Sequence, residues 1–458
     1  MFGLGGREKQ FIRQPAGAEA ENSQQQPTLL NPRKEIILLA LIVVVQLTIS
    51  LSLLVRKGLF IDDSMHIPAG YSYLLTHDYR LNQEHPPFIK LLSAVGLWRV
   101  HPRFPFESPG WQKAATPGDP DDGMERIEEA FFDVNADQFD RISFWGRVPV
   151  LVVPMILVIV VWWFGRQFFG PFAGLAAAVL LTTEPNIVGN SIVVQNDLAA
   201  ALALLLFLVA LKRYLADSDW RAALMLGVAL GFALIAKYSL VVLVPVSFLL
   251  LTLNSIVRVV RKQSTVLSSA ASGLFVLATA YFILLASYAF HADRIDAEES
   301  AVICNWFYLT GHFAELSQKL LMSLPPLLPK YFVYGINMVV DDSREGRPAF
   351  LLGQVSNKGW WYYFPVAFAL KTTIPFLMSS VVGISWATFR LLEGRRKDLL
   401  YLVLPPLLYL ALSMTSHLNI GVRHVLPIFP FLAIAAGGVL AAMIDIQRSP
   451  ARALATAC

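Results

Sequence analysis

Runs of about twenty apolar residues, nearly free of charge, recur along this chain and set the solvent it folds in. A helix of that length crosses the hydrocarbon core of a bilayer, and in lipid each backbone polar group must be satisfied within its own segment. The runs lie near 36–56, 146–164, 171–191, 198–215, 220–237, 239–257, 266–289, 362–388, 399–416 and 423–443. Hydrophobic residues make up 55% of the 458 and charged ones 15%. That balance leaves too little polar surface to clothe a soluble domain of this size. The sequence predicts an all-α integral membrane fold with about ten transmembrane helices. Lys237-Tyr238-Ser239 divides a stretch too long for one crossing, which makes it a tight hairpin.

Orientation follows from the basic residues. Arg7, Lys9, Arg13, Arg33 and Lys34 precede the first run. With that end inside, alternation puts Arg166, Lys212, Arg213, Arg221, Arg258, Arg261, Lys262, Arg395, Arg396, Lys397 and Arg448 inside too, as the positive-inside rule requires. The expected organisation is a polytopic domain over 34–445 in the plasma (inner) membrane. A disordered cytosolic tail over 1–33 precedes it and a cytosolic tail over 446–458 follows. Two long extracytoplasmic loops remain, 58–145 and 290–361. Amphipathic stretches within them, such as 88–98, are expected to lie as interfacial helices on the membrane lipids. The net charge of +4 is dispersed among short clusters, so nucleic acid is not a partner. Cys304 and Cys458 fall on opposite sides, and no CxxC pair exists.

Topology alone brings three polar stretches to the outer face. The first run ends at Asp62-Asp63. The third and fourth are joined by Glu184-Pro185-Asn186 through Gln195-Asn196-Asp197, and the ninth and tenth by His417 through Arg423-His424. Carboxylates and an arginine at one interface are the groups needed to handle an anionic headgroup and move a proton. Each also has an ordinary account. Asp63 or Ser64 caps a short helix running through Tyr73, although capping needs one acid rather than two. Glu84-His85-Pro86-Pro87 reads as a helix start, with an acid ahead of first-turn prolines. Lys371 lies inside an apolar run, where lysine costs roughly 2.5–3.5 kcal/mol at the centre and less near the interface; its stem can also snorkel outward. Arg423 and Lys237 read equally well as headgroup anchors. His66, His85 and His424 lie near these acids without HxxxH or HxH spacing, so a metal is unassigned and a divalent cation stays open as cofactor. P-loop, dinucleotide-binding glycines and a GxSxG elbow are all missing from the sequence.

The stretch from Asp62-Asp63 through His66, Gly70, Tyr71 and Tyr73, followed by Asp78 to Glu84-His85-Pro86-Pro87, resembles the first-loop signature of the GT-C glycosyltransferases. It is most similar to the phospholipid-carrier-dependent branch related to protein O-mannosyltransferases and aminoarabinose transferases. Three further blocks agree in order: Pro185-Asn186 to Asp197, Gly353-Gln354 through Lys358-Gly359-Trp360-Trp361-Tyr362-Tyr363-Phe364-Pro365 with Lys371, and Gly421 to Pro430. The resemblance covers most of 36–440. It implies catalytic acids at Asp62, Asp63 and Asp197, with Asp63 standing where the family has Glu. It further implies that Arg423 and Lys371 meet the lipid phosphate, with Glu84, His85, His424 and Lys237 as further substrate-binding residues. Family members often continue with more helices or an outer domain, so a short or truncated form is expected here.

The implied reaction is inverting transfer of a sugar from a polyprenyl-phosphate donor to a hydroxyl of a protein, lipid or glycan acceptor, with Asp62 as base. A secondary transporter or flippase of a lipid-linked or anionic substrate is the rival, although such sites tend to lie at the midplane in broken helices. A non-catalytic binder of lipid-linked sugars is the third reading.

Overall fold

The computed structural model describes residues 31–114, 120–291, 295–306, 311–323, 327–394 and 396–448. Most of the two predicted tails, Arg395 and Cys458 lie outside these residues. Among them, seven helices are long and apolar enough to cross a membrane: Pro32–Arg56, Ala136–Phe169, Asp197–Asp217, Tyr238–Val260, Val266–Ser287, Ile374–Leu392 and Val422–Ile444. The chain is a multi-pass membrane protein. The three other expected crossings are helical but shorter: Pro171–Thr183, Trp220–Ala236 and Leu400–Ser413. Length and composition by themselves support seven crossings, and the other three expected ones fall short of that length.

Local chemistry explains where the helices stop. The run expected over 362–388 is two helices, Tyr363–Lys371 and Ile374–Leu392, with Thr372 extended between them. Pro375 has no N–H to give Lys371 its helical bond. Asn186 Nδ2 donates to that Lys371 carbonyl at 2.8 Å instead. At the other predicted division, Trp220–Ala236 ends at an extended Lys237, and Tyr238–Val242 forms a 3₁₀ turn leading into Leu243–Val260. Gly227 and Gly231, one turn apart, let Trp220–Ala236 settle against Thr279, Ala280 and Ile283 of Val266–Ser287. Such small-residue faces drive packing where lipid removes the hydrophobic incentive.

The loops hold two features that hydropathy does not show. The second is not all helical: Ala349–Leu351 pairs antiparallel with Gln354–Ser356. Leu352 (φ 48°) and Gly353 (φ 85°) make the two-residue turn, the left-handed geometry that matches hairpin twist. The predicted interfacial stretch forms a helix, Phe88–Leu97, but does not simply rest on the surface. Ile89, Lys90, Ser93, Ala94, Gly96 and Leu97 are buried, and Ser93 Oγ donates to Gly146 O at 2.6 Å. It packs on Ile61–Thr76 so closely that a Cβ at Gly70 would stand 2.0 Å from the Lys90 carbonyl oxygen. Because the obstacle is backbone, Gly70→Ala is expected to destabilise by about 1–3 kcal/mol or more. A thermal unfolding midpoint in detergent equal to wild type would refute this packing.

Candidate active site

Arg147 sets the geometry from beneath. It is 2% exposed, and its guanidinium donates to the carbonyls of Leu54 (3.2 Å), Lys57 (3.1 Å) and Gly58 (3.2 Å). These are carbonyls at and just beyond the end of Pro32–Arg56, where a cation is favourable. The link holds the first long helix against the start of Ile61–Thr76, which carries both adjacent acids.

Those acids have separate roles. Asp63 is fully buried; one oxygen accepts from Phe60 N at 2.9 Å and the other from Val194 N at 2.6 Å. It caps its helix and ties it to the segment before Asp197. Asp62 turns the other way. Its Oδ2 pairs with Arg423, whose NH1 also donates to Gln195 Oε1 at 3.2 Å. The side chains of Asp62 and Arg423 stay 15% and 29% exposed, so the pair can be reached from outside the protein. Lys237 Nζ donates to Asp197 Oδ1, with both residues under 10% exposed. Asp197 also lies in the field of His424 and Arg423. The polar stretches that topology put at one face thus meet: Asp62, Gln195, Asp197, Lys237, Arg423 and His424 form one cluster.

Two predicted residues are reached through other contacts. Glu84 accepts from Arg347 at 2.8 Å, and Arg347 also donates to Asp342 at 2.7 Å; this joins the two long loops. The His85 ring stands edge-on to His66, centroids 5.2 Å apart, and His66 Nδ1 meets the Val194 carbonyl. Burial, then neighbouring cations, push His66 down to about 4 and His85 well below the usual imidazole value. Both rings are neutral at physiological pH.

Lys371 departs from expectation. It is exposed at the end of Tyr363–Lys371 rather than buried in a span, because Pro375 breaks the run there. The break abuts Glu184, which accepts from Thr373 Oγ1 at 2.7 Å. Arg147, Arg347 and Lys90 carry no sequence motif that would have marked them. Arg147 alone offered a hint, as an arginine at the head of an apolar run.

A divalent cation finds no evident seat. Both Asp63 oxygens are taken by backbone N–H groups and Asp62 faces a guanidinium. Among the described residues no three His, Cys, Asp or Glu side chains converge.

Burial raises Asp63 from its ordinary 3.8 to about 6 against the pull of its two backbone donors. A raised folded value means its stabilising contribution is full below about 4 and is lost as pH rises through about 6. The destabilisation caused by Asp63→Asn should therefore grow on acidification from pH 7.5 to 4. Unfolding midpoints of variant and wild type across that range test it; a cost that shrinks instead would mean an ionised, low-pKa Asp63.

Residues 139–285 match the family described as dolichyl-phosphate-mannose-protein mannosyltransferase. No curated protein matches the sequence. Among solved structures, ArnT from Cupriavidus metallidurans bound to undecaprenyl phosphate is similar in fold, with TM-score 0.50 and 13% identity over 87% of this chain and 59% of that one. The oligosaccharyltransferase of Archaeoglobus fulgidus in its apo form has TM-score 0.50 and 13% identity over 93% of this chain and 52% of that one. This chain spans less than two thirds of the length of either.

Proposed function

We propose that this chain is a lipid-carrier-dependent glycosyltransferase of the GT-C superfamily, a reading supported by the protein-mannosyltransferase match over residues 139–285 and by the fold shared with ArnT. It moves a sugar from a polyprenyl-phosphate donor to an acceptor hydroxyl at the extracytoplasmic face. The observation that carries this reading is the partly exposed Asp62–Arg423 pair, with Gln195 on the same guanidinium. A carboxylate paired with an arginine beside lipid is a base held in reserve. An arriving phosphodiester competes for the guanidinium through charge-assisted bonds, and Asp62 is released as it does so.

Asp62 then takes the proton of the acceptor hydroxyl as its oxygen attacks the anomeric carbon. The bond from that carbon to the phosphate oxygen breaks, and polyprenyl phosphate leaves with the electron pair. One displacement inverts the anomeric centre. Arg423 stabilises the departing phosphate in a water-poor site. Lys237, balanced by Asp197, lends positive potential from behind. Lys371, exposed beside the Glu184–Asn186 segment, is placed to meet a headgroup from the lipid side. The undecaprenyl phosphate bound by ArnT supports polyprenyl phosphate as the carrier.

The test uses purified protein in nanodiscs with undecaprenyl-phosphate-linked hexose, pentose and aminopentose, and membrane extract as acceptor source. Release of free undecaprenyl phosphate is expected with at least one donor. Movement of lipid-linked sugar across the bilayer without bond cleavage would replace transfer with transport.

A further inference from the structure

Lys90 is a fully buried lysine, its pKa pushed well below the usual lysine range by that burial, with no carboxylate in ion-pair distance among the described residues. Its ammonium donates to Asn82 O at 2.5 Å, Asn82 Oδ1 at 3.2 Å, His85 O at 2.8 Å and the Tyr73 hydroxyl at 3.1 Å. All four partners are neutral. Burying a charge this way is costly, and methionine would fill the same space without that cost. The bonds share a target. Three go to residues 82–85, and the fourth goes to a hydroxyl that itself donates to Leu81 O. Asn82 holds a left-handed φ of 47°, unusual for a residue with a side chain, and both of its oxygens are gripped by the ammonium. The loop between Ile61–Thr76 and Phe88–Leu97 is thus strapped to a charge projecting from the second helix.

We propose that Lys90 is a positioning residue that fixes the Asn82–His85 strap, and so sets where Glu84 and His85 stand near the Asp62–Arg423 pair. Glu84 reaches Arg347 from this strap and His85 meets His66. The catalytic consequence rests on the transfer reading above, whereas the strap geometry does not.

Lys90→Met separates the two. Backbone amides of residues 81–85 are expected to exchange about tenfold faster, with Ile61–Thr76 otherwise protected as in wild type. Undecaprenyl phosphate release should lose about 10²-fold in kcat, the effect of misplacing a catalytic wall by about 1 Å. KM for the donor should change less than about 3-fold, and the unfolding midpoint should fall, because Met leaves the Asn82 and His85 carbonyls without their donor; rates are therefore compared per folded protein. Tyr73→Phe, which removes one acceptor of the ammonium and the bond to Leu81, should move both readouts the same way by less. Unchanged exchange and kcat in Lys90→Met would overturn the proposal, as would activity lost only in proportion to folded protein. If wild-type protein releases no undecaprenyl phosphate, the transfer reading fails while amide exchange still decides the role of Lys90.

Discussion

Asp62→Asn is expected to lower the rate of polyprenyl phosphate release by about 10²–10⁴-fold, the usual worth of a positioned general base, with an unfolding midpoint close to that of wild type. The reason lies in how the neighbouring acids divide. Asp62 Oδ2 meets only a guanidinium and stays partly exposed, and Asn can still accept from Arg423 through its amide oxygen. What it cannot do is take a proton. Asp63→Asn should behave in the opposite way. Each Asp63 oxygen receives a backbone N–H, from Phe60 and from Val194, and an amide must turn its NH₂ toward one of those donors. Leaving a buried donor unsatisfied costs about 1–3 kcal/mol. The folded protein that remains should release lipid phosphate at a rate much closer to wild type. Measuring rate and midpoint on both variants decides the assignment. A slow but stable Asp63→Asn, paired with an active Asp62→Asn, would exchange the two roles.

The second large effect belongs to Asp197 and Lys237. Removing one partner from a buried ion pair leaves an uncompensated charge and costs about 3–5 kcal/mol. The environment makes the two deletions unequal. Asp197 also lies in the field of Arg423 and His424, so Lys237→Met leaves a carboxylate that still has a cation near it. Asp197→Asn leaves a lysine whose remaining charged neighbour is Arg423, of like sign. Asp197→Asn should therefore be the more destabilising of the two. Joining them in Asp197→Asn/Lys237→Met should restore most of the stability, because no lone charge is left. Unfolding midpoints of the four proteins form the cycle. A double variant that is as unstable as the sum of the single ones would remove the ion pair as their shared cause. Transfer is a separate readout: a stable double variant that remains slow would assign the pair to the phosphate site rather than to packing.

Some of this was legible in the chain before any coordinates. Hydropathy alone fixed helices in a membrane as the solution, because backbone polar groups in lipid have no other partner. The arrangement of basic residues put the Asp62, Asp197 and Arg423 segments at one end of the bundle, and there they do meet. Periodicity could not see where a run is broken by a single missing N–H. For that reason Lys371 was expected inside a span, whereas Pro375 places it, exposed, at a helix end. Nor could spacing tell one acid of an adjacent pair from the other. Capping and catalysis call for the same residue type, and the choice is made by what each carboxylate faces.

The sequence by itself determined the solvent, the helices and the common face of the candidate site. Those depend on composition and on local or one-dimensional rules. Tertiary structure decided the pairings: Asp62 with Arg423, Asp63 with the Val194 backbone, Lys237 with Asp197, Glu84 with Arg347, and Lys90 with its strap. Several of these join residues more than a hundred positions apart. The energy of such a pair depends on distance and burial, and neither quantity exists until the helices have packed.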